Sequence, residues 1–335
     1  NLLPKLTPAS KNWWQRCWRW PDMRLSRHGI SPLPVWSSEL IYFSATRWFS
    51  DIQRDISSAQ HTICLQTYIF NIDAVGEPLL EALCASSRRG VKVRVIADGV
   101  GSANTIVFLQ NMLQKNDAEL HVYHPLPWQW IVDRLERDNW LARFFDRLMR
   151  MNNRQHSKLL LIDGCIAWTG SFNITDDHIE NNGRGLDWKD CGVRVSGERC
   201  LLLDEFFNAV WKRDIHLLSP YFLFHPATNF SPVLRRRRLR VLLQNIHGAQ
   251  QRIWIISAYF SPIQSIVRAL KKASLRGVDV KIMVPAHSDV RFFPALASTY
   301  YADMLRAGIH IHEYEEGILH SKIILIDDAP VVGSS

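Results

Sequence analysis

The chain has 335 residues, 47% hydrophobic and 21% charged, which excludes a disordered segment and allows two domains or one large duplicated one. A net charge of +8 and a pI near 9.3 favour anionic partners: nucleic acid, phospholipid headgroups or phosphorylated small molecules. No uninterrupted apolar run reaches the length of a bilayer span. Cys17, Cys64, Cys84, Cys165, Cys191 and Cys200 contain no C-x-x-C pair, so they read as reduced, buried thiols in a cytosol-facing protein rather than a disulfide frame or zinc site.

Residues 1–40 form an N-terminal segment that starts without Met. In it, Trp13, Trp14, Trp18 and Trp20 stand beside Arg16 and Arg19 within eight positions. A core has no room for those arginines, so an in-plane interfacial anchor is expected, with a partner-binding segment as the alternative. Core burial remains the alternative for the 13 tryptophans as a set.

The first α/β half is expected over residues 41–225. Ser58 to Phe70 reads as a helix end followed by a buried strand. Leu79, Leu80 and Leu83 have helical spacing, and Arg89-Gly90-Val91 leads into a strand ending near Ile96. A β-α-β order with a helix of ordinary length predicts parallel strands and right-handed crossovers. A basic, aromatic insert follows at about 124–153. It carries Trp128, Trp130, Trp140 and Phe144 among Arg134, Arg137, Arg143, Arg147 and Arg150, and reads as an amphipathic helix or helix pair. Membrane contact and packing on the protein's own core are equally weighted there.

The second half is expected over residues 226–335. Its basic stretch Pro226 to Arg240, with Arg235 to Arg238, reads as a solvated joint leading into a helix. Gly248 to Phe260, Ile266 to Leu270 and Arg276-Gly277-Val278 to Met283 then repeat the order of the first half. Ile96 to His156 spans 60 positions and Met283 to His320 spans 37, so the first half carries about 23 extra residues. The fold class that follows is α/β: two pseudo-symmetric halves, each a mixed, mostly parallel sheet flanked by helices, with the active site at the interface between halves.

Each half closes on the same motif. His156-Ser-Lys158-Leu-Leu-Leu-Ile-Asp163 returns as His320-Ser-Lys322-Ile-Ile-Leu-Ile-Asp327, followed by Gly170-Ser171 and by Gly333-Ser334. Residues two apart on a strand share a face, so each His projects beside its Lys. Asp163-Gly164 signals a tight turn, and a hairpin of Ser157–Ile162 with Cys165–Gly170 pairs position i with 327 − i, to within a residue or two. Ser171 is then expected opposite His156, with Asn173 just beyond. Asp327-Asp328 turns the second hairpin.

Two such clusters facing each other can surround a phosphoryl group without metal or cofactor. Lysines and neutral donors offset the charge on oxygen, one imidazole attacks, and the other moves the proton. Asp190 is the candidate to orient His156. Asp163, Asp327, Gly170, Gly333 and Ser334 read as structural parts of the motif. The other histidines, His178 among them, form no ligand set and read as surface or core residues. No P-loop occurs.

These residues resemble the phospholipase D superfamily, whose signature is a pair of H-x-K-x4-D motifs with a trailing G-S-x-N. Gly170-Ser171-Phe172-Asn173 completes the first, and the second stops before its Asn, which reads as a fragment. Leu65 to Phe70, Trp188-Lys189-Asp190, Tyr259 to Pro262 and Thr299 to Lys322 look like bacterial cardiolipin synthases of a short type without N-terminal spans. The resemblance implies a phosphatidyltransferase that makes cardiolipin from phosphatidylglycerol through a phosphatidyl-histidine. His156 is then the nucleophile and His320 the acid and base, while Lys158, Lys322, Ser171 and Asn173 stabilise the phosphoryl oxygens. It further implies an anionic phospholipid substrate, a membrane surface as partner, no nucleic acid, and a peripheral place on the cytoplasmic face of the bacterial inner membrane. The alternatives are phospholipid hydrolysis and a superfamily nuclease.

Overall fold

The computed structural model describes residues 36–123, 157–180, 188–218, 232–288, 290 and 292–332. Trp13, Trp14, Trp18, Trp20, the insert at 124–153, His156, Gly333 and Ser334 lie outside them. The described residues divide into two compact units, Trp36–Lys212 and a second starting at Arg213. The division falls ahead of the expected joint at 226.

The first unit begins with β1 (Ser38–Tyr42) and α1 (Ala45–Ser58). The hydroxyl of Ser44 caps α1, and Trp48, Ile52 and Ile56 recur every four residues to form its buried face. Then come β2 (Thr62–Thr67), α2 (Gly76–Arg88), β3 (Lys92–Asp98), α3 (Ile106–Lys115) and β4 (Glu119–Tyr123). The motif strands are β5 (Leu159–Ile162) and β6 (Ile166–Gly170), followed by β7 (Gly192–Ser196) and α4 (Cys200–Lys212). The sheet order is β1-β7-β6-β5-β2-β3-β4. Strands β2, β3 and β4 are parallel, as the β-α-β reading requires, whereas the hairpin and its outer neighbours are antiparallel. Antiparallel pairs therefore outnumber parallel ones here.

The second unit contains α5 (Pro232–Gly248), β8 (Arg252–Ser257), α6 (Gln264–Leu275) and β9 (Asp279–Pro285). It continues through α7 (Phe293–Ser298), α8 (Tyr301–Leu305), β10 (His310–Tyr314), β11 (Lys322–Ile326) and β12 (Ala329–Val332). Its sheet runs β10-β9-β8-β11-β12, the order of β4-β3-β2-β5-β6. The basic run Arg235 to Arg238 lies within α5, which opens on Pro232, a residue pre-set for a first helical turn.

Each unit has its own apolar core. Trp48 and Trp168 are buried in the first, with ring centres 4.9 Å apart, so part of the tryptophan load is core. No helix of the described residues is long and apolar enough to cross a membrane.

The junction between the helix that opens each half and the central strand is held in the same way twice. Arg89 donates to the carbonyls of Ser57 (2.9 Å) and Ala59 (3.5 Å) at the end of α1. Arg276 donates to Ile246 (3.3 Å), His247 (3.2 Å) and Ala249 (3.5 Å) at the end of α5. A cation there satisfies last-turn carbonyls and meets the negative end of the helix dipole. The glycine after each arginine has φ +91°, which ends α2 and α6 in the left-handed conformation and turns the chain into the next strand.

Candidate active site: two half-sites

The first hairpin pairs Leu159 with Thr169 and Ile162 with Ile166, one position from the register inferred from its turn. Asp163 has φ 51° and Gly164 φ 64°, so both central turn residues are left-handed, as a tight hairpin turn demands. The Asp163 carboxylate accepts from the backbone N–H groups of Gln60 (2.9 Å), His61 (2.8 Å) and Thr62 (2.8 Å). Burial raises its pKa, but those three amides outweigh burial and hold the carboxyl below its ordinary value. Asp327 repeats the arrangement on Gln250 (3.1 Å), Gln251 (2.7 Å) and Arg252 (3.1 Å). The two motif aspartates thus lock each hairpin to the start of its central strand.

Beyond the turn, each motif lysine meets a tyrosine. Lys158 is buried, with Nζ 5.7 Å from the ring centre of Tyr68. Lys322 Nζ lies 5.4 Å from the ring centre of Tyr259, 3.2 Å from His320 Nε2 and 2.7 Å from the His320 carbonyl oxygen. His320 is itself buried and meets Tyr259 edge-on at 5.9 Å. The face of an aromatic ring attracts an ammonium group. The second half-site is therefore a compact His320–Lys322–Tyr259 cluster.

Gly170 and Ser171 join the first hairpin to its next strand. A Cβ on Gly170 would lie 2.5 Å from the Cys191 carbonyl oxygen and 2.6 Å from the Gly192 Cα, so only glycine fits. The Ser171 hydroxyl both donates to the Cys191 carbonyl and accepts from the Cys191 N–H, each at 3.2 Å. The hydroxyl is fully buried beside β7.

Asn173 is buried, and its Oδ1 has no hydrogen-bond partner among the described residues. Its backbone N–H donates to His178 Nε2 at 3.0 Å. The Asp190 carboxylate, expected on His156, lies with Oδ2 2.9 Å from His178 Nδ1, and both side chains are fully enclosed. His178 is thus a core histidine whose Nε2 accepts a hydrogen bond and whose Nδ1 lies within ion-pair distance of the Asp190 carboxylate. Pattern reading missed that pairing because Asp190 lies on a different segment from His178. It also missed Gln66, whose two buried amide atoms have no partner among the described residues. Gln66 and Lys158 line one small cavity together with Trp48, Trp168 and Phe172.

Cys191, next to Asp190, has its thiol pushed up to about 12 by burial and then by the Asp190 charge, so it stays neutral and offers no rival nucleophile. Cys64, Cys84 and Cys200 are also buried, but Cys165 is exposed, since it sits in the hairpin turn. Among the described residues, no group of three or more His, Cys, Asp or Glu could hold a metal ion.

Residues 52–185 and 242–335 match the family model described as cardiolipin synthase, PLD-like domain. Cardiolipin synthase A of Pseudomonas putida strain W619 is 30% identical over 298 residues, covering 86% of this chain and 59% of that protein. Cardiolipin synthase of Geobacillus kaustophilus is 29% identical over 322 residues, covering 92% of this chain and 61% of its own length. The chain thus spans about three fifths of the curated relatives it matches. Among solved structures, phosphatidylserine synthase of Haemophilus influenzae superposes with a TM-score of 0.60 at 11% identity, over 91% of this chain and 80% of that one. Polyphosphate kinase of Porphyromonas gingivalis gives 0.55 at 14% identity, over 89% and 45%. At such identities the likeness concerns the fold alone. With a signature matched in both halves and a repeated sheet that carries it, the chain belongs to the cardiolipin synthase family of phospholipase D-like domains.

Proposed function

We propose that this chain is the catalytic core of a phosphatidyltransferase that makes cardiolipin from phosphatidylglycerol. An imidazole nitrogen of His156 attacks the phosphorus of one phosphatidylglycerol. The bond from phosphorus to the glycerol oxygen breaks, and protonated His320 gives its proton to that oxygen as glycerol leaves. A phosphatidyl-histidine remains. His320, now neutral, takes the proton of a second phosphatidylglycerol hydroxyl, whose oxygen displaces His156 from phosphorus. Lys158, Lys322 and Asn173 offset the charge that grows on the phosphoryl oxygens. Asp190 orients His156, since one carboxylate can accept from two imidazoles.

The observation that carries this reading is the repeated hairpin. It is locked by Asp163 in one unit and Asp327 in the other, and it carries a lysine beside a tyrosine in each. The names of the curated relatives add the substrate class. The reaction requires both imidazoles at one phosphorus. Trp13, Trp14, Trp18, Trp20, Trp128, Trp130, Trp140 and Phe144 provide the peripheral hold on the cytoplasmic face of the membrane.

Full-length protein incubated with vesicles of glycerol-labelled phosphatidylglycerol is expected to yield cardiolipin and labelled glycerol. Phosphatidic acid as the sole product would replace transfer by hydrolysis. His156→Asn and His320→Asn are each expected to lower turnover at least about a thousandfold with vesicle binding retained. Activity surviving either change would refute the two-imidazole mechanism.

A further inference from the structure

The His178 imidazole is enclosed in the first unit with a polar group at each ring nitrogen. Its Nε2 accepts the Asn173 backbone N–H at 3.0 Å, and a nitrogen that accepts such a bond carries no proton. In the neutral ring the proton then resides on Nδ1, 2.9 Å from the Asp190 Oδ2. Phe172 and Trp188 meet the ring edge-on at 5.5 and 5.4 Å and restrict its rotation.

The turn that presents the ring is itself tied down. Asp176 N–H donates to Asp73 Oδ2 at 3.0 Å, and Asn71 Nδ2 donates to Thr175 Oγ1 at 3.1 Å. An imidazole suits this place because it accepts on one side and donates on the other. A carboxylate could only accept, and an ammonium could only donate.

We infer that His178 is a positioning residue: in its Nδ1–H tautomer it joins the Asp190 carboxylate to the Asn173 backbone and so fixes two groups used in phosphatidyl transfer. The inference rests on the transfer reading for what those groups do, and on geometry for the linkage itself. His178 touches no substrate in this account. It acts by holding the loop of Asn173 against the segment of Asp190, where a displacement of about 1 Å is enough to slow a reaction a hundredfold.

Three variants of the full-length protein test it on vesicles of phosphatidylglycerol, with kcat, KM and the single-turnover yield of phosphatidyl-enzyme as readouts. His178→Phe keeps an aromatic ring of similar size and loses both nitrogens. His178→Gln retains an acceptor within reach of the Asn173 N–H, and His178→Asn a polar group nearer Asp190. The expected order of kcat is Gln above Asn above Phe, with Phe down about a hundredfold and KM little changed. A ring needed only for packing reverses that order, with Phe the mildest change, and this result would overturn the inference. Should the Phe protein fail to fold, the other two decide: wild-type kcat in both overturns it.

A 15N spectrum of histidine-labelled wild-type protein adds a readout that needs no turnover, with the His178 signal assigned by its loss in His178→Gln. A protonated Nδ1 and bare Nε2 are expected, and an imidazolium or Nε2–H form contradicts the linkage. The expected spectrum in a protein that transfers no phosphatidyl group would sink the proposed function and uphold the Asp190–His178–Asn173 linkage.

Discussion

The two motif hairpins share their letters and their locks but stand in different surroundings. Asp163 and Asp327 each take three backbone amides at the start of the central strand, and Arg89 and Arg276 each hold the helix end just before it. The hairpins differ in enclosure, since Lys158 is buried and Lys322 half-buried. In the first unit β6 is covered by β7, whose approach demands Gly170 and engages Ser171. Pro330 stands in β12 opposite Leu325. The contacts made inside the repeated unit recur in both copies.

Substitutions at these contacts break or sharpen the comparison. The largest effect is expected at Gly170, where alanine forces a Cβ against the backbone of Cys191 and Gly192. Gly170→Ala should cost roughly 3 kcal/mol by denaturant titration. A loss below about 0.5 kcal/mol would mean that β6 and β7 can separate freely.

Next come the two locks. Asp163→Asn and Asp327→Asn keep a residue that accepts a left-handed φ of 51°, so each tests the carboxylate and not the turn. Each is expected to cost about 2 kcal/mol near neutral pH. Because the folded pKa of Asp163 lies below 3.8, its contribution is full above that value and is lost as pH falls through the lower folded value. The gap between wild type and Asp163→Asn should therefore close on acidification, and a gap constant with pH would refute the carboxylate lock.

The smallest effect belongs to β1, at the edge of the first unit's described sheet. Glu39, on edge strand β1, has its pKa raised by burial from 4.5 to about 7 against the opposing charge of Arg199. The folded protein keeps this proton while the unfolded chain loses it, so stability declines as pH rises from 4.5 to about 7. Glu39→Gln mimics the protonated acid and should flatten that slope, gaining about 1 kcal/mol above pH 7 once solvent screening is allowed for. An unchanged slope of melting temperature against pH would contradict it.

Much of the fold was legible because the signals are local. The apolar runs at Ile63 and Ile253, the helical spacing of Leu79 and Ile266, and the Asp163-Gly164 turn each act over a few residues. Their elements stand close to where the pattern put them. The unit boundary is set by contacts between distant segments. The chain divides at Arg213, and the basic run Arg235 to Arg238 lies further on, within α5.

The sequence by itself determined the duplicated motif, the order of elements in each half and the pairing of each histidine with a lysine two residues on. Those follow from strand and helix periodicities that need no distant partner. Tertiary structure alone decided that Ser171 binds the Cys191 backbone, that Asp190 lies against His178, and that Asp163 gathers amides from Gln60 to Thr62. Each of these joins segments that periodicity treats as independent. A buried polar group takes its role from the partner that burial brings to it, and the partner is chosen when the sheet is assembled.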